Sequence, residues 1–119
     1  MEETLVFVYA DEAAAEQVSA PFSSRGYTVE ILSPDGEGCL DKVAEAKPMA
    51  VVLDISDDWM TPLVVAQGIL ADERLSRPLL VFVGGSADSI AQCKATLPFG
   101  VYVKPEELVW VLKRLGLQV

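Results

Sequence analysis

Residues 50–54 read Ala-Val-Val-Leu-Asp, an unbroken apolar run that ends at a carboxylate. Four more apolar runs lie along the chain, at residues 5–9, 27–32, 79–83 and 100–103. Runs that are apolar on both faces are typical of a parallel sheet covered by helices on both sides. Residues 27–32 alternate more strongly than the others, which favours an edge strand.

The segments between these runs carry helix signals. Asp11 is a candidate N-cap for a first helix, which Pro21 is expected to end or kink. A second helix is expected to open at Asp35-Gly36 and to stop at Lys47-Pro48. Its predicted inward side chains are Leu40, Val43 and Ala44.

Three further helices are predicted in the second half of the chain. Thr61 and Pro62 read as the N-cap and first residue of a helix over residues 63–75. The others cover residues 86–97 and 106–115. The last carries an inward stripe of Leu108, Val111, Leu112 and Leu115. The alternation predicts an α/β fold, a doubly wound (βα)5 sandwich around a central five-stranded parallel sheet, filling residues 1–119 as one domain.

Composition excludes several functions. Eighteen acidic and nine basic residues give a net charge of −9, which argues against nucleic acid as a partner. The chain has no histidine, which excludes Ser-His-Asp and Cys-His catalysis, histidine-ligated metals and a histidine phosphodonor. Cys39 and Cys93 form no CxxC motif and are expected to be buried in a reducing, cytoplasmic compartment. We find no signal peptide and no apolar run long enough for a membrane helix.

Polar residues follow the predicted strands. Asp11 and Glu12 follow the first strand, Asp54 ends the third, and Lys104 follows the fifth. In a doubly wound sheet, ligands bind beyond these carboxyl ends. Carboxylates with a lysine opposite are suited to Mg²⁺ and to phosphoryl groups.

Five features stand in the order and near the spacing of a known family: Asp54 within residues 51–55, Gly26-Tyr27, Asp35-Gly36, Lys47-Pro48 and Lys104-Pro105. Over about residues 4–116 the chain resembles a response-regulator receiver domain of two-component systems. The resemblance implies a phosphoacceptor position at Asp54 and a phosphate-contacting position at Lys104. It also implies Mg²⁺ at Asp11 and Asp54, and signalling partners such as a histidine kinase.

The chain departs from the family at its metal and switch positions. Without a gap, Tyr9 and Ala10 stand where receivers carry two metal-binding acids, and a one-residue gap brings only Asp11 into place. Receivers carry a switch residue with a hydroxyl group, Ser or Thr, at the end of the fourth strand, and that position is Gly84 here. Ser86 lies two residues further on and is expected to cap the fourth helix. Val101 stands at the switch aromatic, and strand alternation is expected to aim Tyr102 at the opposite face.

These departures predict an atypical, pseudo-receiver-like domain that is not an enzyme and acts mainly by protein–protein contact. No output domain is expected within residues 1–119. The expected partner face is formed by the fourth helix, fifth strand and fifth helix, with Trp110 and Val109 off the inward stripe. A homodimer through this face is included in the prediction.

Other interpretations stay open. Asp54 is phosphorylated with Mg²⁺ in the first alternative, where Asp57 and Asp58 offer replacement oxygens. A second alternative is a flavodoxin-like binder of a small ligand. The simplest interpretation makes Asp54 a helix-capping acid, Lys104 a solvated lysine and Gly84-Gly85 a tight turn rather than a phosphate cradle.

Overall fold

The computed structural model describes residues 3–35, 38–75 and 78–114. Strands and helices alternate along the chain. The strands are β1 Thr4–Val8, β2 Thr28–Leu32, β3 Ala50–Asp54, β4 Leu79–Val83 and β5 Val101–Val103. The helices are α1 Glu12–Ser23, α2 Cys39–Ala46, α3 Met60–Ala71, α4 Ala87–Thr96 and α5 Leu108–Arg114, the last preceded by a 3₁₀ turn, Pro105–Glu107.

The five strands form one parallel sheet in the order β2-β1-β3-β4-β5. The predicted doubly wound (βα)5 sandwich is therefore confirmed. β2 lies at an edge of the sheet, as its alternating sequence indicates. The strand order reverses at β1 and β3, so the carboxyl ends of these two central strands adjoin the crevice in which such folds bind ligands.

Each face of the sheet has its own core. One face packs against α2, α3 and α4 and buries alternate strand residues such as Val8, Leu53 and Phe82. The other packs against α1 and α5 and buries Phe7 and Val52. Because both faces are covered, the strands need apolar side chains at nearly every position, which explains their continuous runs.

The first helix begins as predicted but does not end as predicted. The Asp11 carboxylate accepts hydrogen bonds from the N–H groups of Ala13 and Ala14, at 3.0 and 3.3 Å, and so caps α1. Pro21 does not stop the helix, which continues to Ser23. Its position in the last turn limits the disruption, and the Ser24 N–H still bonds to the Ala20 carbonyl at 3.0 Å.

The second helix starts later than expected. Gly36 lies outside the described residues, and α2 begins at Cys39 after Gly38, whose φ of 75° is left-handed. Val43 is buried as predicted and so is Ala44, but Leu40 is 36% exposed. Cys39, one residue earlier, faces the core instead.

The third helix has a different cap from the one predicted. The helix begins at Met60, so its N-cap position is Trp59 and not Thr61. The Asp58 side chain, one residue earlier, accepts hydrogen bonds from the N–H groups of Met60 and Thr61 and from the Thr61 hydroxyl. These bonds, those from Thr61 foremost, lower the pKa of Asp58. The helix ends at Ala71, four residues before the predicted end.

The last helix confirms the inward stripe in part. Leu108 and Leu112 are buried, whereas Val111 is partly buried. Leu115 lies outside the described residues. Cys39 and Cys93 are both buried and free, as expected. No helix in the described part of the chain has the length and hydrophobicity to cross a membrane.

Ser86 caps α4 through a reciprocal capping box. Its hydroxyl accepts from the Ser89 N–H at 3.1 Å, and its own N–H donates to Ser89 Oγ at 2.8 Å. Replacing Ser86 with alanine is expected to lower the free energy of unfolding by about 1 kcal/mol. Chemical denaturation measures this change. Ser23→Ala, at an exposed position in α1, is the control and should have little effect.

Candidate functional site

The ends of four neighbouring strands define the candidate site. In sheet order they contribute Tyr9 after β1, Asp54 at the end of β3, Gly84 after β4 and Lys104 after β5. We call these four residues the carboxyl edge. They are far apart in sequence, and the parallel sheet brings them to one side of the molecule.

Asp54 is partly buried at this edge. Its Oδ1 atom accepts a hydrogen bond from the Ser56 N–H at 3.0 Å, which turns the chain away from β3. No donor within the described residues bonds to its second oxygen, Oδ2. The structure thus places Asp54 where the sequence predicts, with one carboxylate oxygen available, and its role as phosphoacceptor stays a prediction.

Two of the candidate metal ligands act at helix starts. Asp11 caps α1 through Oδ1 alone, whereas Asp58 accepts hydrogen bonds at the start of α3 through both carboxylate oxygens. In the ranges that the structure describes, no group of three or more histidine, cysteine, aspartate or glutamate side chains could hold a metal ion. Mg²⁺ binding by Asp11 and Asp54 therefore stays a prediction that this arrangement does not favour.

Tyr9 is the large side chain beside Asp54. The register pairs Val8 with Leu53, so the next residues along the two strands, Tyr9 and Asp54, are neighbours. Tyr9 is only 4% exposed, and its buried hydroxyl has no hydrogen-bond partner among the residues that the structure describes. Burial, and to a lesser extent the negative charge of Asp54, raises the pKa of Tyr9 well above its usual value. The phenol is therefore neutral and able to donate.

A side chain at Gly84 would have to displace the Ser56 hydroxyl. The φ of Gly84 is 81°, and a Cβ at this position would clash with the Ser56 hydroxyl. The space that a side chain would take at the end of β4 is thus occupied by a hydroxyl from the β3–α3 loop. The sequence pattern did not single out Ser56, because the contact joins residues 28 positions apart in loops whose relative placement only the fold defines.

Val101 and Tyr102 point to opposite faces, as predicted. Val101 packs on the side of α1 and α5, whereas Tyr102 packs on the side of α4. The Tyr102 hydroxyl donates to the Leu97 carbonyl at 2.8 Å, and its ring stacks on Phe82 with 4.8 Å between the centroids. Burial, with a smaller contribution from Cys93, raises the pKa of Tyr102 to about 12.

Lys104 is exposed at the end of β5. Its backbone N–H donates to Glu107 Oε1 at 3.0 Å, and its ammonium group makes no ion pair within the described residues. Beside it lies an open cleft of about 670 Å³ between α4 and the 3₁₀ turn. Lys94 and Tyr102 also line this cleft, with the Lys94 ammonium 5.5 Å from the centre of the Tyr102 ring.

The predicted partner face carries an exposed aromatic side chain. Trp110 is 57% exposed and Val109 is 36% exposed, so both lie off the inward stripe of α5. The Arg114 guanidinium lies 4.8 Å from the centre of the Trp110 ring, close enough for a cation–π contact. The face thus combines apolar and cationic groups.

No protein-family model matches the sequence, and no curated protein does so either. Solved structures do match. A receiver domain from Methylobacillus flagellatus is 18% identical to this chain, with a TM-score of 0.76. Chemotaxis response regulator CheY4 of Vibrio cholerae is 17% identical, with a TM-score of 0.75. Each match covers 96% of this chain and 98% of the solved chain. A signal receiver domain from Bermanella marisrubri is 20% identical with a TM-score of 0.75. The chain therefore has the CheY-like receiver fold.

Gly84→Ala should destabilise the domain more than Gly26→Ala. Both glycines have left-handed φ angles, which cost other residues about 1–2 kcal/mol. Only Gly84 is also blocked, since no atom lies within 4 Å of a Cβ built at Gly26. Denaturant unfolding of both variants should show a larger decrease in the free energy of unfolding for Gly84→Ala than for Gly26→Ala, by about 1 kcal/mol or more. Adding Ser56→Gly should recover that difference, and equal losses without recovery would contradict the prediction.

Proposed function

We propose that this chain is an atypical receiver-like domain of two-component signalling that acts mainly by binding a protein partner. The binding surface is the partner face, formed by α4, β5 and α5. In this proposal the domain is not an enzyme, and its partner binding does not depend on phosphorylation of Asp54. The receiver fold supports the signalling class, and the contacts of the carboxyl edge support the independence from phosphorylation.

The contacts of Tyr102 carry the proposal. A charge change at Asp54 could reach the partner face only through a group that has two arrangements. Tyr102 is held by its hydrogen bond to Leu97 and by its stacking on Phe82. Gly84, which lies between Asp54 and β5, has no side chain that could register the charge. A surface that is already in one arrangement can bind without a covalent signal.

The chemistry of the partner face is suited to protein binding. Exposed tryptophan is among the side chains that contribute most to interface affinity. Trp110 has Val109 beside it, and the adjacent cleft carries Lys94 and Lys104 together with Glu106 and Glu107. A partner segment with apolar side chains and charges of both signs complements this surface. A second copy of the chain through the same face is the homodimeric form of the proposal.

A second candidate function keeps phosphorylation of Asp54. One observation favours it: Asp54 Oδ2 and the Lys104 ammonium are both without a hydrogen-bonded or ion-pair partner among the described residues, and both lie at the carboxyl edge. A carboxylate can accept a phosphoryl group, and a lysine can balance the added charge. A flavodoxin-like binder is supported less, because Asp11 and Glu12 would repel a ligand phosphate.

Incubation with acetyl phosphate and Mg²⁺ distinguishes the two candidates. We expect intact-mass measurement after acid quenching to show no added phosphoryl group on the wild type, under conditions that label an ordinary receiver domain. Asp54→Asn is the matched variant. A phosphoryl group on the wild type that is absent from Asp54→Asn would replace the first candidate with the second.

Trp110→Ala should remove partner binding while leaving the fold intact. The immobilised wild type and Asp54→Asn are expected to retain the same proteins from a lysate of the source cells, and Trp110→Ala should lose them. Truncating a central interface tryptophan typically weakens binding about 30-fold. Val64→Ala is the matched control, because Val64 on α3 is 64% exposed. Retention by Trp110→Ala, or loss with Asp54→Asn, would contradict the proposal.

A further inference from the structure

We propose that the Tyr9 hydroxyl, which has no partner among the described residues in this structure, turns to donate a hydrogen bond to the Asp54 carboxylate, and that this pair takes the place of a bound divalent cation at the carboxyl edge. The inference rests on the proposed function only in treating Asp54 as the centre of the site. It assigns to Tyr9 the role of a positioning residue that stabilises the charge of Asp54.

The sheet register places the two side chains together. β1 and β3 are parallel neighbours, with Phe7 opposite Val52 and Val8 opposite Leu53. Phe7 and Val52 share the face of α1 and α5, whereas Val8 and Leu53 share the other face. One residue further, Tyr9 and Asp54 therefore return to the face of α1 and α5. Adjacent strands lie about 4.8 Å apart, so the two side chains leave the sheet side by side.

The Tyr9 hydroxyl needs an acceptor. It is buried without a hydrogen-bond partner, and a buried polar group in this state carries a desolvation cost. Asp54 is the charged group that acts on Tyr9 electrostatically, and its Oδ2 atom accepts no bond from the described residues. The unpartnered donor and the unpartnered acceptor thus belong to neighbouring residues.

The donor set suits a hydrogen-bonded carboxylate better than a magnesium ion. Mg²⁺ requires a nearly ideal octahedron of oxygen atoms, and in proteins one or two carboxylates usually hold it while water or phosphate completes the shell. At the carboxyl edge the β1 position next to Asp54 holds a neutral phenol in place of a carboxylate, and Oδ1 of Asp11 caps α1. Asp54 instead accepts the Ser56 N–H and lies close enough to Tyr9 for its charge to act on the phenol. Both groups are donors, which stabilise a negative charge without a metal.

A double-mutant cycle tests the pair. Tyr9→Phe removes only the hydroxyl, and Asp54→Asn removes only the charge. We expect Tyr9→Phe to raise the unfolding equilibrium constant in the wild type, because the folded state loses a stabilising bond. The same substitution should have much less effect in the Asp54→Asn background. The expected coupling is about fivefold to tenfold in that constant, because hydrogen bonds to charged groups are stronger than neutral ones.

Tyr102→Phe is the control for this cycle. It also removes a buried tyrosine hydroxyl, but that hydroxyl bonds to Leu97 and not to Asp54. Its effect should be the same with and without Asp54→Asn. Additive effects of Tyr9→Phe and Asp54→Asn would overturn the proposed pair, whether or not the domain binds a partner or accepts a phosphoryl group.

A titration with Mg²⁺, monitored through the amide NMR signals of Ile55 and Ala10, tests whether the carboxyl edge binds the metal. We expect no saturable shift in the wild type. Tyr9→Asp should create saturable binding that is lost again in Tyr9→Asp/Asp54→Asn. Saturable wild-type binding that disappears in Asp11→Asn or Asp54→Asn would establish the magnesium site and overturn the inference. A folded Tyr9→Asp that gains no binding would also overturn it, and if that variant does not fold, the wild-type titration decides.

Discussion

The parallel pairing of β1, β3, β4 and β5 is the constraint on which the rest of the structure depends. Because all four strands run the same way, their carboxyl ends meet at one edge, and residues from positions 9, 54, 84 and 104 become neighbours. The pairing also requires helices on both faces, which accounts for the continuous apolar runs and the two separate cores. The site is therefore a direct product of strand direction and register.

Within this frame, the carboxyl edge has few groups that can change state. Tyr9 is neutral and buried, Gly84 has no side chain, and Tyr102 is held from two sides. The charged groups of the edge are Asp54 and Lys104. The chain thus combines the CheY-like receiver fold with a candidate site beside which Tyr9 and Tyr102 are held by packing.

Local rules predicted much of the molecule. The apolar runs indicated all five strands, the alternation in residues 27–32 indicated the edge strand, and Asp11 and Ser86 were recognisable as helix caps. The failures also have local causes. Pro21 lies late enough in α1 for the helix to continue, and Asp58 accepts the hydrogen bonds at the start of α3 in place of Thr61 because a carboxylate can accept from two N–H groups and a hydroxyl at once. Loop geometry decides which of two neighbouring side chains accepts the hydrogen bonds at the start of a helix.

By itself, the sequence determined the fold class, the position of Asp54 at a strand end and the exposure of Trp110, because hydrophobic periodicity and chain order are properties of the linear chain. Only the tertiary structure decided which groups surround Asp54. The contact of Ser56 with the space beside Gly84 and the adjacency of Tyr9 to Asp54 depend on strand register and loop packing. Each of these two contacts joins residues that are far apart in sequence, and a local sequence pattern contains no information on distances across the sheet.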